Sequence, residues 1–123
     1  MNGSHYERKL AKHLDSEGYH VVRSPASGSA TKRDLPDLFW SKPDEKAIAC
    51  ELKATSQKAA YYTESEVYSL VEFATAFNAT PLLGARFKQD TTYYLWHPNE
   101  VRRTNSGRYA ADRDIDAYET IEP

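Results

Sequence analysis

Between Pro36 and Lys53 the chain reads PDLFWSKPDEKAIACELK. Two short apolar runs flank a polar connection, which is the pattern of a β-hairpin. Pro36 can begin the first strand but not continue it, because it donates no ladder hydrogen bond. The pattern predicts a strand over 36–40 and a returning strand over 47–55. Three charges sit inside it: Asp37, Glu51 and Lys53. Charges at least half-buried are costly unless they are paired or ligated. Side chains alternate across a strand. Ala47, Ala49, Glu51 and Lys53 therefore share one face; Ile48, Cys50, Leu52 and Ala54 share the other, expected toward the core. On the partner strand Asp37 and Phe39 lie opposite Leu38 and Trp40. A register that pairs Asp37 near Glu51 gathers two carboxylates and an ammonium at one end of a sheet.

The flanking segments supply the rest of a fold. Ser4-x-x-Glu7 has the form of a capping box, and Tyr6, Leu10 and Leu14 repeat at four as one apolar stripe. Gly18 is a helix stop, and 19–23 reads as a short strand. Residues 24–35, SPASGSATKRDL, are small and polar and form a loop carrying Lys32 and Arg33. Thr63-x-x-Glu66 is a second capping box. Val67, Leu70, Val71, Ala74 and Phe77 then trace an amphipathic helix to Asn78, which can close it in a left-handed conformation. Strands are predicted at 81–87 and 91–98, a helical turn at 99–103 and an edge strand in GRYA. The order α-β-β-β-α-β-β implies an α/β domain, with a mixed central sheet of about five strands flanked by helices.

Length and charge narrow the options. A chain of 123 residues suits one core. No apolar run approaches the ~20 residues of a membrane span, and the N-terminus lacks the apolar stretch of a secretory signal. Cys50 is the one cysteine, and His5, His13, His20 and His97 are scattered. An internal disulfide and a Cys-rich zinc site are excluded, and the cytoplasm is the expected compartment. The net charge of −2 is uneven: residues 112–123 hold five carboxylates against Arg113, so residues 1–111 sum to +2. The expectation is a domain over 1–111 and a solvated acidic tail over 112–123.

Two close carboxylates repel, and the pKa of one should rise unless a cation compensates. Mg²⁺ is the natural compensator, since it takes two carboxylates together with waters and phosphate oxygens. The Leu52 carbonyl is a further candidate ligand. Lys53 can hydrogen-bond an attacking water or a phosphate. The set fits metal-assisted hydrolysis of a phosphodiester. The plainer alternatives are a solvated Glu-x-Lys strand face and, for Cys50, a small core residue.

Pro36-Asp37 followed by Glu51-Leu52-Lys53 resembles the signature of the PD-(D/E)xK nuclease superfamily. GSHYERKLAKHLDSEGYHVVRSPASGSA is similar to the N-terminus of archaeal-type Holliday junction resolvases. VEFATAFNATPLLGARF and YYLWHP resemble the later helix and strands of that family, so the likeness spans roughly residues 3–110. It implies a restriction-endonuclease-like core in a homodimeric, Mg²⁺-dependent endonuclease, with Mn²⁺ able to substitute. Such an enzyme resolves four-way DNA junctions by paired nicks. Asp37 and Glu51 would hold the metal and Lys53 would serve the water. Glu7 would be the third acidic ligand, a role in competition with its capping box. Ser27 would lie near the scissile phosphate, with Ser24 and Ser29 as alternatives. Arg8, Arg23, Lys32 and Arg33 would bind DNA. Phe73 and Phe77, four apart and otherwise ordinary core residues, would build the dimer interface. The charge of the body, the length of the loop before Pro36 and the acidic tail depart from the family pattern. The rival readings are another DNA nuclease of the superfamily and a non-catalytic DNA-binding module on the same fold.

Overall fold

The computed structural model describes residues 3–24 and 35–123. In chain order the elements are α1 (Gly3–Ser16), β1 (His20–Arg23), β2 (Leu38–Ser41), β3 (Ile48–Thr55), β4 (Ala59–Tyr62) and α2 (Glu64–Ala76). They continue as β5 (Thr80–Phe87), β6 (Tyr93–Trp96), a 3-10 turn (Pro98–Glu100), β7 (Arg102–Arg103), β8 (Tyr109–Asp112) and β9 (Glu119–Ile121).

The helices form where the capping and apolar patterns require. α1 buries Tyr6, Leu10 and Leu14, and Gly18 follows it at φ 95°, a conformation that favours glycine. At the start of α2 the Thr63 hydroxyl accepts from the Glu66 N–H at 3.0 Å, and the Glu66 carboxylate accepts from the Thr63 N–H at 2.8 Å. Asn78 ends this helix at φ 54°.

The main sheet has six strands in the order β1-β2-β3-β5-β6-β9, one more than the expected five. β1, β2 and β3 form an antiparallel meander. The chain then crosses over through α2 and returns as β5, parallel to β3. A separate three-stranded sheet has the order β4-β8-β7. The crossover corrects the expectation that only Ile48, Cys50, Leu52 and Ala54 face a core. α1 packs on one face against Leu38, Trp40, Cys50, Leu52, Leu82 and Leu95. The second face carries Ala49, Leu83, Ala85 and Phe87 beneath α2 and the small sheet. A parallel pair joined by a helix is covered on both sides, so Glu51 and Lys53 project toward a packed layer rather than open solvent.

Residues 112–123, expected as a solvated tail, belong to the fold. Asp112 ends β8, β9 pairs with β6, and Ile121 is buried. The Tyr118 N–H donates to the Leu95 carbonyl at 2.8 Å, and the Trp96 indole donates to the Ile115 carbonyl at 2.9 Å. Ile115, Ala117 and Ile121 supply the apolar contacts that hold this acidic segment.

Gly84 shows how closely β3 and β5 are packed. A Cβ there would stand 2.9 Å from Cys50 Sγ, 3.0 Å from Leu95 Cδ2 and 3.2 Å from Leu52 Cδ1. Its carbonyl accepts from the buried Tyr62 hydroxyl at 2.5 Å. Gly84→Ala is expected to destabilise the chain by about 1–3 kcal/mol through overpacking. The denaturation midpoint reads this out, and an unchanged midpoint would show that the layer yields freely.

Candidate active site

The β2–β3 ladder pairs Leu38 with Cys50. One step beyond it, Asp37 lies across from Glu51, the register that the hairpin predicts. β2 has ended there, and the Asp37 side chain takes over the pairing: its Oδ2 accepts from the Leu52 N–H at 2.8 Å. That bond fixes the carboxylate against β3. Two residues along the same strand, Lys53 Nζ donates to Glu66 Oε2 at 2.7 Å.

α1 brings a further carboxylate to the same end of the sheet. Arg23 Nε donates to Glu7 Oε1 at 3.2 Å, and Arg23 Nη2 donates to the Ser4 hydroxyl at 2.9 Å. The helix begins at Gly3, so Ser4 lies inside it and Glu7 turns toward β1. Glu7 is thus engaged by Arg23 and not by a box capped at Ser4, the alternative to its site role. The buried stripe of Tyr6, Leu10 and Leu14 rotates Glu7 toward the sheet.

The electrostatics describe a site with surplus negative charge. Burial pushes the Glu51 carboxyl up to about 8, the Asp37 and Glu66 charges add to this, and Lys53 opposes it. Burial also raises Asp37, against the Leu52 hydrogen bond and Lys53. Glu7 is raised by burial and by Asp37, with Arg23 opposing. Burial pushes Glu66 upward too, but its hydrogen bonds from Lys53 and Thr63 hold it below the ordinary carboxylate range.

Among the described residues, no three His, Cys, Asp or Glu side chains form a ready metal cluster. Of the expected triad, Asp37 and Glu51 lie across from each other on the ladder, and Glu7 is near enough to Asp37 to feel its charge. Glu7 stands beside them, engaged by Arg23. Glu66, read from sequence only as a capping residue, is the site residue that was missed. Its capping signature is legible in Thr63-x-x-Glu66, whereas its contact with Lys53 depends on how α2 docks.

The other expected residues are distributed around this point. Arg8 is exposed on α1, next to Glu7. Ser27, Lys32 and Arg33 lie outside the described residues. The described residues on either side meet at the site: the Ser24 N–H donates to the Asp37 carbonyl at 3.1 Å, and the Ser24 hydroxyl donates to the Pro36 carbonyl. Ser24, an alternative to Ser27, is thus occupied with the backbone. Phe73 and Phe77 stack at 4.6 Å between centroids and both meet Phe39, two residues from Asp37. Phe77 is 58% exposed.

The family of archaeal Holliday junction resolvases (Hjc) matches residues 1–122. The chain belongs to this family. It is 34% identical over 111 residues to the crossover junction endodeoxyribonuclease Hjc of Sulfolobus acidocaldarius, covering 89% of this chain and 76% of that protein. It is 31% identical over 121 residues to the Hjc of Sulfurisphaera tokodaii, covering 98% and 78%. Among solved structures, the Archaeoglobus fulgidus Hjc, described as a Holliday junction resolvase from an archaeal hyperthermophile, is similar at a TM-score of 0.79 and 22% identity. The match covers 90% of this chain and 88% of that one, and the fold is the restriction-endonuclease-like one that the sequence implied. The family match reaches past Ala110 and takes in the β9 segment. No helix among the described residues is long and apolar enough to cross a membrane.

Proposed function

We propose that this chain is a structure-specific endonuclease that resolves four-way DNA junctions by metal-dependent phosphodiester hydrolysis. The observation that carries this reading is the Asp37 carboxylate, locked on the Leu52 N–H across from Glu51 with Lys53 two residues on, in a member of the resolvase family.

The residues present fit a divalent cation. Their donors are hard carboxylate oxygens; burial raises both pKa values and the Asp37 charge raises Glu51 further, as expected where countercharge is wanting. Asp37 and Glu51 would hold Mg²⁺, or Mn²⁺ in its place. Once bound, the cation supplies an activated water and offsets the charge that develops on the phosphate. Lys53 is placed to hydrogen-bond that water or a non-bridging phosphate oxygen. The Leu52 N–H keeps Asp37 in one rotamer, and the covered sheet face limits competing water. Glu7, held by Arg23, lines the acidic side of the site.

Arg8 is exposed and free of that packing, so it is the phosphate contact of choice. Arg23 spends Nε and Nη2 on Glu7 and Ser4, which leaves Nη1 for DNA. Arg8→Ala is expected to weaken junction binding and to lower the slope of log K against log salt by about 1. Binding isotherms at several salt concentrations measure this, and an unchanged slope would remove Arg8 from the interface.

The Phe73–Phe77 stack, exposed at Phe77, supports a two-fold dimer. Two sites related by that axis match two strands related by the symmetry of a junction. Branched DNA as substrate and the buried free Cys50 favour a cytoplasmic enzyme. Gel retardation in EDTA, where cutting is suppressed, tests the substrate. A four-way junction complex that survives an excess of its own duplex arms is expected. Equal competition by duplex would favour a more general nuclease.

A further inference from the structure

We infer that Glu66 is a positioning residue for junction cleavage, acting through Lys53; the inference rests on the nuclease reading above. The Glu66 carboxylate is divided between two tasks. Oε1 accepts from the Thr63 N–H at 2.8 Å and closes the cap of α2. Oε2 accepts from Lys53 Nζ at 2.7 Å. A residue that only capped the helix would need the first bond alone. The second ties the ammonium to a helix end that is itself anchored by Val67, Leu70 and Ala74.

The tether answers a charge problem. Lys53 lies in the field of Asp37 and Glu51, since it opposes the upward shift of both. A divalent cation held by that pair repels the ammonium. Glu66 supplies the countercharge that keeps Lys53 beside the site after the cation arrives. With all groups ionised, Asp37, Glu51 and Glu66 against Lys53 carry a net −2, the complement of a divalent ion. The Lys53 and Glu66 side chains remain 34% and 30% exposed, so DNA can reach the ammonium. Four rotatable bonds make a free lysine a poor hydrogen-bond donor to one fixed point, and the clamp from the helix cap removes most of that freedom.

Glu66→Gln separates the two tasks, because the amide oxygen can still accept from Thr63 while the charge facing Lys53 is lost. The single-turnover cleavage rate should fall about tenfold to a hundredfold, with junction affinity unchanged. Thr63→Ala removes the hydroxyl acceptor of the cap and leaves the carboxylate in place. It should lower the melting temperature but cut within about twofold of the wild-type rate. In the protein alone, without metal or DNA, NMR should show an exchange-protected Lys53 ammonium that is lost in Glu66→Gln.

Three results would overturn the assignment: wild-type cutting by Glu66→Gln, equal ammonium exchange in the two proteins, or equal rate loss in Thr63→Ala. A wild-type protein that cuts no junction overturns the nuclease reading, and the catalytic role of Glu66 with it. The ammonium signal still decides whether the tether exists, so the two failures are told apart.

Discussion

Asp37→Asn should reduce junction cutting by about a thousandfold or more while junction binding persists. Asparagine keeps the shape of the side chain and, through its amide oxygen, an acceptor for the Leu52 N–H that now holds Oδ2 at 2.8 Å. The change therefore removes charge rather than structure. The partnership with Glu51 loses half of its hard anionic donors, and the cation that serves the water is no longer held. DNA affinity should stay level or rise, since one repulsive charge facing phosphates is gone. Without metal and above pH 8, where Glu51 is ionised, the variant should melt no lower than the wild type, because the Asp37–Glu51 repulsion has been relieved. Single-turnover rates beside gel retardation measure both halves of the claim. Cutting at the wild-type rate would remove Asp37 from the reaction.

The second large effect is on stability. Glu51 titrates near 8 in the folded chain, against an ordinary value of 4.5. Between those values the native state holds a proton that the unfolded state has released. By linkage, stability then falls as pH rises. The contribution is fully present below pH 4.5 and lost as pH passes through about 8. The metal-free protein should lose on the order of 3 kcal/mol across that window, or about ten degrees in melting temperature. Mg²⁺ should restore most of this at pH 9, where both carboxylates are ionised, and little at pH 5. Glu51→Gln should flatten the profile and abolish the Mg²⁺ effect. A wild-type melting temperature that is level across the window and indifferent to Mg²⁺ would show that Glu51 titrates as an ordinary carboxylate.

The parts of this architecture governed by local rules were legible in the sequence. Both helix stops, at Gly18 and Asn78, follow from left-handed backbone that few residues tolerate, and both adopt it. The hairpin register follows from alternation, and it delivers Asp37 opposite Glu51. What escaped depends on distant pairing. β4, with the sequence AAYY, is too short to announce itself, its two alanines offsetting its two tyrosines, and it forms beside β8, Ala59 meeting Asp112. β9 is hidden by its charges, since Ile121 alone enters the core from Glu119–Ile121. Burial of the second sheet face follows from the parallel return of β5, which no single strand announces. Glu66 was hidden for a different reason. Its capping box accounted for the residue completely at the sequence level, and only the docking of α2 against β3 reveals the bond to Lys53.

The most direct test of the central claim is strand mapping on a labelled immobile four-way junction and, separately, on its duplex arms, in Mg²⁺ and in EDTA. Paired, symmetric nicks in the junction alone, abolished by EDTA, are the predicted result. A junction left uncut in Mg²⁺ and Mn²⁺ despite tight binding would contradict it, and would assign the chain to junction binding without catalysis.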